Sequence, residues 1–367
     1  MKKLAIIGST GSIGTQALDV VRLNRELFDV VLLTAHSNKE LLEAQCAEFG
    51  VKKSCLTFGS NIELVNLLRN TEIDLVLVAA VGAAGIIPTY ESLKQGIDVA
   101  LANKESIVAA GKLILDTAKE NSAKIIPVDS EHSAIYQCLM GHNKEQVSKI
   151  ILTASGGAFR KTPKDALQFM GVNEALRHPN WQMGSKITVD SATMMNKGLE
   201  LIEARYLFDI EPSKLGVVIH QQSIIHSAVS YIDGTMLAQM GYPDMRTPIS
   251  FALGLPERLN CGVKQLDLCD ISRLDFFQPD LEKYPCLKLA LNVLEHDKNG
   301  AMIVMNAANE IAVEHFLMKS IKFIDIAPLI QSVLDIFGEQ EANSIDEILA
   351  LDNRARIKCL ELLQNDK

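Results

Sequence analysis

Three observations along the chain predict an α/β fold. Residues 1 to about 128 alternate strand and helix signals, each short apolar run being followed by a helical stripe. From Ile150 to Tyr231 strand signals recur around one long helical pattern. From Leu287 onward no strand signal interrupts the helical stripes. Together these predict an N-terminal Rossmann-like parallel sheet, an α+β middle domain and a C-terminal helical bundle. The expected division is 1–128, 129–254, a linker at 255–286, and 287–367.

The first sheet is expected from Lys3–Ile7, Val30–Ala35, Leu75–Ala80, Val99–Leu101 and Lys124–Val128, with helices such as Ile13–Leu23 and Ser106–Glu120 between them. In the middle region Ile150–Thr153, Lys186–Val189, Val217–His220 and Ser227–Tyr231 read as strands, and a helix is expected from about Ser191 to Phe208. Pro256, Pro279 and Pro285 punctuate the irregular linker. Beyond it, Ala308, Ile311, Ala312 and Phe316 keep a helical stripe, and Ile324, Leu329 and Val333 do so more loosely.

Composition narrows the function. With 367 residues and 48% hydrophobic content the chain can bury two or three cores. A formal charge of −9 argues against general nucleic-acid binding. No apolar run reaches membrane-spanning length, and the N-terminal apolar stretch breaks at Gly8-Ser9-Thr10-Gly11, so it reads as a strand rather than a signal peptide. Seven scattered cysteines without C-x-x-C spacing read as free thiols in a reducing cytoplasm.

The first strand runs into Gly8-Ser9-Thr10-Gly11-Ser12-Ile13-Gly14, a G-x-x-G-x-x-G variant of the dinucleotide fingerprint. Glycines there allow a tight turn and close backbone approach to a pyrophosphate, which the following helix N-terminus stabilises. Alone, the pattern is also that of a plain strand-to-helix turn; its place at the start of a βαβ alternation favours the nucleotide reading. The second strand ends at Thr34-Ala35-His36-Ser37-Asn38-Lys39 without the acid that NAD enzymes place against the ribose hydroxyls, which favours NADP.

Two further strand ends carry charge: Asn103-Lys104-Glu105-Ser106 and Asp129-Ser130-Glu131-His132. Ligands of open α/β sheets sit outside the carboxyl ends of the strands. Asp129 and Glu131, two apart, would point the same way from an extended backbone. With Glu200 they make an all-oxygen set suited to Mg²⁺ or Mn²⁺. The stretch 189–200 reads as a strand end, a cap at Ser191 or Thr193, and a helix whose face holds Asn196, Lys197 and Glu200. An anion would bind well at such a helix start. Taken singly, each of these segments reads as an ordinary capped helix or solvated loop. The turn Ser155-Gly156-Gly157 could offer amides and a hydroxyl to an anion. The loop Arg177–Gly184, with the single tryptophan, is a candidate lid. His220 and His226 read as structural.

The whole set resembles the 1-deoxy-D-xylulose 5-phosphate reductoisomerase family. The resemblance rests on Gly-Ser-Thr-Gly-Ser-Ile-Gly at 8–14, Leu-Ala-Asn-Lys-Glu-Ser at 101–106 and Pro-Val-Asp-Ser-Glu-His at 127–132. It also rests on Ala-Ser-Gly-Gly-Ala-Phe-Arg at 154–160, His-Pro-Asn-Trp at 178–181, the stretch 189–200 and Asn-Ala-Ala-Asn-Glu at 306–310. It implies a homodimer with an NADPH domain, a catalytic domain and a helical domain, on the non-mevalonate route to isoprenoids. It implies that Thr10, Gly11, Ser12 and Ile13 hold the NADPH pyrophosphate region, with Asn38, Asn103, Glu105 and Gly184 also touching the cofactor. Asp129, Glu131 and Glu200 would bind Mn²⁺ or Mg²⁺, with Co²⁺ a further option. Lys104, Ser130 and Glu131 would contact the sugar, and Ser155, Ser191, Asn196 and Lys197 the phosphate. Lys104, Glu131 and His178 would act in catalysis, with Glu200 also against the substrate and Trp181 as the lid. Just before Asn38, where the resemblance would place the 2′-phosphate contact, this chain has His36-Ser37 in place of the Gly-Lys of some relatives.

Two rivals remain at this level. A semialdehyde or homoserine dehydrogenase would share the nucleotide end but has no need of three metal-binding carboxylates. A catalytically idle NADP-binding sensor would be expected to have lost charges at Asp129, Glu131 or Glu200, and none is lost.

Overall fold

The parallel sheet expected at the N-terminus forms with six strands. The computed structural model describes residues 1–181 and 183–365. In chain order it runs β1 (Lys2–Ile7), α1 (Ser12–Leu23), β2 (Phe28–Ala35), α2 (Lys39–Phe49), β3 (Lys53–Leu56), α3 (Ile62–Arg69), β4 (Leu75–Val78), α4 (Ile86–Lys94), β5 (Asp98–Leu101), α5 (Lys104–Glu120), β6 (Ile125–Pro127) and α6 (Ser130–Leu139). The strand order is β3-β2-β1-β4-β5-β6, every pair parallel. This is the doubly wound order, whose reversal falls between β1 and β4. Strand β3, too short and polar to stand out in the sequence, is an addition to the five expected.

The second half runs β7 (Val147–Ala154), α7 (Val172–Ala175), α8 (Ser185–Thr193), α9 (Met195–Phe208), β8 (Leu215–Ile219), β9 (Ile225–Tyr231) and β10 (Met236–Met240). Helices α10 (Arg246–Gly254), α11 (Leu268–Ile271), α12 (Pro285–His296), α13 (Asn299–Leu317), α14 (Ile326–Phe337) and α15 (Ile345–Asn365) follow. The second sheet has the order β10-β9-β7-β8, with β7 and β8 parallel and the other pairs antiparallel. Two expectations change here. Lys186–Val189 is not a strand but lies in α8. The single helix from Ser191 is two helices broken at Met194, whose backbone is left-handed (φ 59, ψ 13). The alternation of Ile187 and Val189 mimics a strand, but Val189 is buried as part of a helix.

By internal packing the chain forms two units: Met1–Ile107, Gly111–Tyr136 and Asp244–Gln265 in one, and Val108–Ala110, Gln137–Pro243 and Leu266–Lys367 in the other. In the first, Leu4 and Ile6 of β1, Leu33 of β2 and Leu77 of β4 pack with Leu18 and Val21 of α1 and Ile249 and Leu253 of α10. Leu18 is fully buried, so Leu18→Ala would cost roughly 2–5 kcal/mol. The start of the stretch read as a linker thus belongs to this unit, where Asn24 Nδ2 donates to Asn260 O at 2.9 Å. In the second unit α13 is buried almost throughout and packs against α14 and α15. Ala308, Ile311, Ala312 and Phe316 sit in that core, whereas Ile324 falls in a short turn and is exposed.

Candidate active site

The glycine loop of the first unit is shaped for close approach. Gly8 has φ +88, and its neighbour Ser9 donates from its backbone N–H to Thr34 O at 2.8 Å. A Cβ on Gly14 would lie 2.3 Å from Gly8 O, so the turn and the helix start admit no side chain there. Gly11 caps α1 without a side-chain acceptor, which leaves first-turn N–H groups for a ligand. Ser9 is committed inward, its Oγ donating to Gln45 Oε1 at 2.7 Å. These features fit a dinucleotide pyrophosphate against Thr10, Gly11, Ser12 and Ile13. At the end of β2, His36, Ser37 and Asn38 are all exposed. Asn38 Oδ1 accepts from Leu41 N at 3.2 Å as the cap of α2.

Asn103 is a strut within this unit. Its Nδ2 shares its two hydrogens among Ala80 O, Gly82 O and Glu105 Oε2 at 2.9, 2.9 and 3.0 Å, and its Oδ1 caps α5 by accepting from Ser106 N. It therefore ties the end of β4 to the end of β5, with its amide committed to protein. Lys104, buried, pairs through Nζ with Asp129 Oδ2. Ser130 Oγ donates to Glu131 Oε2. Glu131 stands in the first turn of α6, not on extended backbone, so the alternation argument for Asp129 and Glu131 does not hold. Their closeness comes instead from Asp129 preceding a helix on which Glu131 is in the first turn.

In the second unit, β7 ends in the turn Ser155-Gly156-Gly157, whose glycines have φ +80 and +66. A Cβ on Gly157 would lie 2.3 Å from Ser191 O, so the turn rests on the end of α8. Ser155 Oγ lies 2.8 Å from His178 Nε2 and accepts from Gly157 N at 3.1 Å. Burial, with a smaller contribution from the Arg160 guanidinium, pushes the His178 imidazole down to about 4. Neither Ser191 nor Thr193 caps a helix N-terminus as a residue outside it; both lie in the last turn of α8. Thr193 nevertheless serves α9, its Oγ1 accepting from Met195 N at 3.2 Å. On α9, Glu200 is fully buried and its two oxygens face Asn196 Nδ2 and Lys197 Nζ, as the helical spacing predicts. Gly198 is required on the opposite side, where a Cβ would meet Ala290 Cβ at 2.3 Å. Gly184 caps α8 with open space around its Cα.

The loop after α7 is tethered by Asn180, a residue given no role from sequence. Its Nδ2 donates to Gln221 O at 2.6 Å and Ser223 Oγ at 2.8 Å. Trp181 lies with its ring 6.0 Å from that of His226. Gln182 lies outside the described residues. His220 is structural as expected: buried, with Nε2 accepting from Ile224 N at 3.1 Å and Nδ1 2.9 Å from Asp275 O. Glu203, Asp190 and Asn309, all buried, were also missed; a buried polar residue inside an apolar stripe gives little signal in one sequence. Asp129 and Glu131 of the first unit and Glu200 of the second are carboxylates, hard oxygen donors of the kind that Mg²⁺ or Mn²⁺ takes.

Comparison with known proteins agrees. Family profiles for 1-deoxy-D-xylulose 5-phosphate reductoisomerase match residues 4–65 and 52–111, those for its C-terminal domain match 125–208, and those for the DXP reductoisomerase C-terminal domain match 240–358. The 1-deoxy-D-xylulose 5-phosphate reductoisomerase of Geotalea uraniireducens (strain Rf4) is 50% identical over 100% of both chains. That of Trichlorobacter lovleyi is 48% identical over 97% of this chain and 96% of its own. A crystal structure of DOX-P reductoisomerase in complex with NADPH, fosmidomycin and magnesium superposes with a TM-score of 0.94 at 41% identity, covering 99% of this chain and 98% of that one. The Zymomonas mobilis enzyme in complex with NADPH gives 0.89 at 39% identity, covering 99% of each chain. The chain belongs to the 1-deoxy-D-xylulose 5-phosphate reductoisomerase family.

Proposed function

We propose that this enzyme converts 1-deoxy-D-xylulose 5-phosphate to 2-C-methyl-D-erythritol 4-phosphate with NADPH and a divalent cation, on the non-mevalonate route to isoprenoids. The observation that carries the reading is likeness over the full length, at 50% identity, to an enzyme named for this reaction. The dehydrogenase and idle-sensor readings give way to it.

The bound cation would polarise the ketone and stabilise negative charge on substrate oxygens, and NADPH would supply the hydride. We assign the cation to Asp129, Glu131 and Glu200, and the cofactor to Thr10, Gly11, Ser12, Ile13, Asn38, Glu105 and Gly184. Asn103 would act on the cofactor by shaping the strand ends, since its amide is committed to the backbone and to Glu105. Lys104, held beside Asp129, would place positive charge near the reacting oxygens. Glu131 and Ser130 would hydrogen-bond the sugar hydroxyls, Glu131 taking and returning a proton. Ser155, Ser191, Asn196 and Lys197 would hold the phosphate. The pairing of Lys197 with buried Glu200 fixes the place of its ammonium. His178, neutral, would offer Nε2–H, and Trp181 would cover the substrate. Holding the phosphate uses remote binding energy to orient the reacting end.

We keep the three-part division at 128, 254 and 286 as one of roles, namely cofactor, chemistry and helical support, while residues 244–265 pack with the cofactor unit. We also propose a homodimer in the cytoplasm. Seven free cysteines support the reducing compartment. Among the described residues no helix is long and apolar enough to cross a membrane. The test is NADPH oxidation, followed by the absorbance of the reduced nicotinamide, with 1-deoxy-D-xylulose 5-phosphate, with and without Mg²⁺ or Mn²⁺. Metal-dependent oxidation is expected; none with either metal would refute the proposal.

A further inference from the structure

The motif Asn306-Ala307-Ala308-Asn309-Glu310 lies on α13. Asn309 lies in the middle of α13 and is fully buried. Its Nδ2 donates to Asp190 Oδ1 at 2.9 Å, and Asp190, 1% exposed, sits in the last turn of α8. The other oxygen of Asp190 is paired with Lys186 Nζ at 2.9 Å. Both oxygens of a buried carboxylate are thus held, one from its own helix and one from α13. Among the described residues, Asn309 Oδ1 meets no hydrogen-bond partner. A half-satisfied buried amide is unfavourable, and alanines fill the neighbouring positions 307 and 308 without that cost. Core packing alone therefore does not call for asparagine at 309.

What Asp190 supports is a strained corner. Met194 is left-handed, a conformation that costs a side-chain-bearing residue roughly 1–2 kcal/mol. The corner is closed by Thr193 Oγ1, which donates to Asp190 O at 3.2 Å and accepts from Met195 N at 3.2 Å. Ser191 follows Asp190 directly, and Asn196 and Lys197 begin the helix beyond the corner. The Gly157 turn that carries Ser155 rests on Ser191 O, with no room for a Cβ. A displacement of Asp190 would move all four of these side chains.

We propose that Asn309 is a positioning residue for the phosphate anchor: through Asp190 it fixes the corner between α8 and α9 on which Ser191, Asn196 and Lys197 stand. The proposal rests on the phosphate assignment above. It is tested with Asn309→Ala, Asn309→Asp, Asp190→Asn and the exchange Asn309→Asp/Asp190→Asn. The readings are KM and kcat for 1-deoxy-D-xylulose 5-phosphate, calorimetric affinity for inorganic phosphate, NADPH affinity and melting temperature. Asn309→Asp sets two carboxylates against each other and is expected to weaken KM and phosphate affinity together, by about ten-fold or more. NADPH affinity should stay as in wild type. The exchange restores a donor facing a carboxylate and should recover most of the loss. Asn309→Ala should give a smaller change of the same kind and covers the case in which Asn309→Asp does not fold.

Unchanged KM and phosphate affinity in Asn309→Ala and Asn309→Asp would overturn the proposal. So would a parallel loss of NADPH and phosphate affinity that the exchange does not recover, which marks general loosening. The family reading fails separately, through a wild-type enzyme inactive on the sugar phosphate. Phosphate calorimetry would still judge the link, and a wild type that binds no phosphate would overturn it.

Discussion

His178 Nδ1 accepts from Trp181 N at 2.9 Å, and this fixes what the other side of the ring can do. Asn180 N also donates to Nδ1, at 3.2 Å. A ring nitrogen that accepts carries no proton, so the neutral ring bears its hydrogen on Nε2 and donates to Ser155 Oγ. Ser155 Oγ then accepts from both His178 and Gly157 N, and neither contact uses its own hydrogen, which would donate to the proposed phosphate.

The ligand-free ring should therefore stay neutral at physiological pH. Its folded value of about 4 lies below the ordinary 6.5 because burial disfavours the cation. Between those values the unfolded chain binds more protons at this site than the folded one. The stability this group contributes is full above about 6.5 and falls as the pH drops toward 4. NMR titration of the His178 ring should show no protonation near pH 6.5. A bound phosphate dianion should move the midpoint upward. A ligand-free ring titrating at the ordinary value would refute the buried, doubly accepting geometry.

Glu131→Gln keeps the shape of the side chain and its contact with Ser130 but removes a charge from the hard donor set. Turnover should fall by roughly two orders of magnitude or more, as for loss of a general acid-base group. NADPH affinity should persist, because the glycine loop is untouched. Half-saturation for Mn²⁺ should rise in the same variant. Retention of wild-type turnover and metal dependence would remove Glu131 from both roles.

The parts of this site that repeat a local rule were legible in the sequence. Asn196, Lys197 and Glu200 follow helical spacing, and their mutual contacts are those the spacing demands. Gly8, Gly11 and Gly14 stand where the turn after β1 needs them. The parts set by tertiary packing were not legible. Nothing local marks Met194 as left-handed; Asp190, held by a residue more than a hundred positions away, supports that corner. Glu131 reads as extended because the Asp-x-Glu alternation continues the preceding strand, whereas the helix already begins at Ser130. Strand β10 has no buried residue, and its apolar residues do not alternate with polar ones.

Cofactor choice can be tested at the end of β2. His36, Ser37 and Asn38 are exposed and include no acid. NADPH should exceed NADH in kcat/KM. Ser37→Asp should move that ratio toward NADH, because a carboxylate repels a 2′-phosphate and accepts from ribose hydroxyls. The fold should not change, since Ser37 is exposed and the cap of α2 is supplied by Asn38. An equal preference for both cofactors in the wild type, or no shift in the variant, would place the 2′-phosphate elsewhere.

The loop bearing Trp181 gives the last prediction. Asn180 anchors it to the backbone of Gln221 and to Ser223, and His178 Nδ1 gathers two of its N–H groups, so it has a fixed root. Trp181 itself is only half-buried and makes its ring contact with His226. A rooted loop with a half-exposed aromatic tip can repack its tip over a ligand without losing those hydrogen bonds. Closure would expel water and strengthen the polar contacts beneath it. Trp181 is the single tryptophan, so its emission reports this loop alone. A phosphonate substrate mimic should shift that emission and reduce quenching by iodide, and Trp181→Phe should abolish the signal. The same variant should raise KM for the sugar phosphate while leaving NADPH affinity unchanged. Emission and quenching that do not change at saturating ligand would leave Trp181 as a packing residue against His226, with the substrate covered by some other segment.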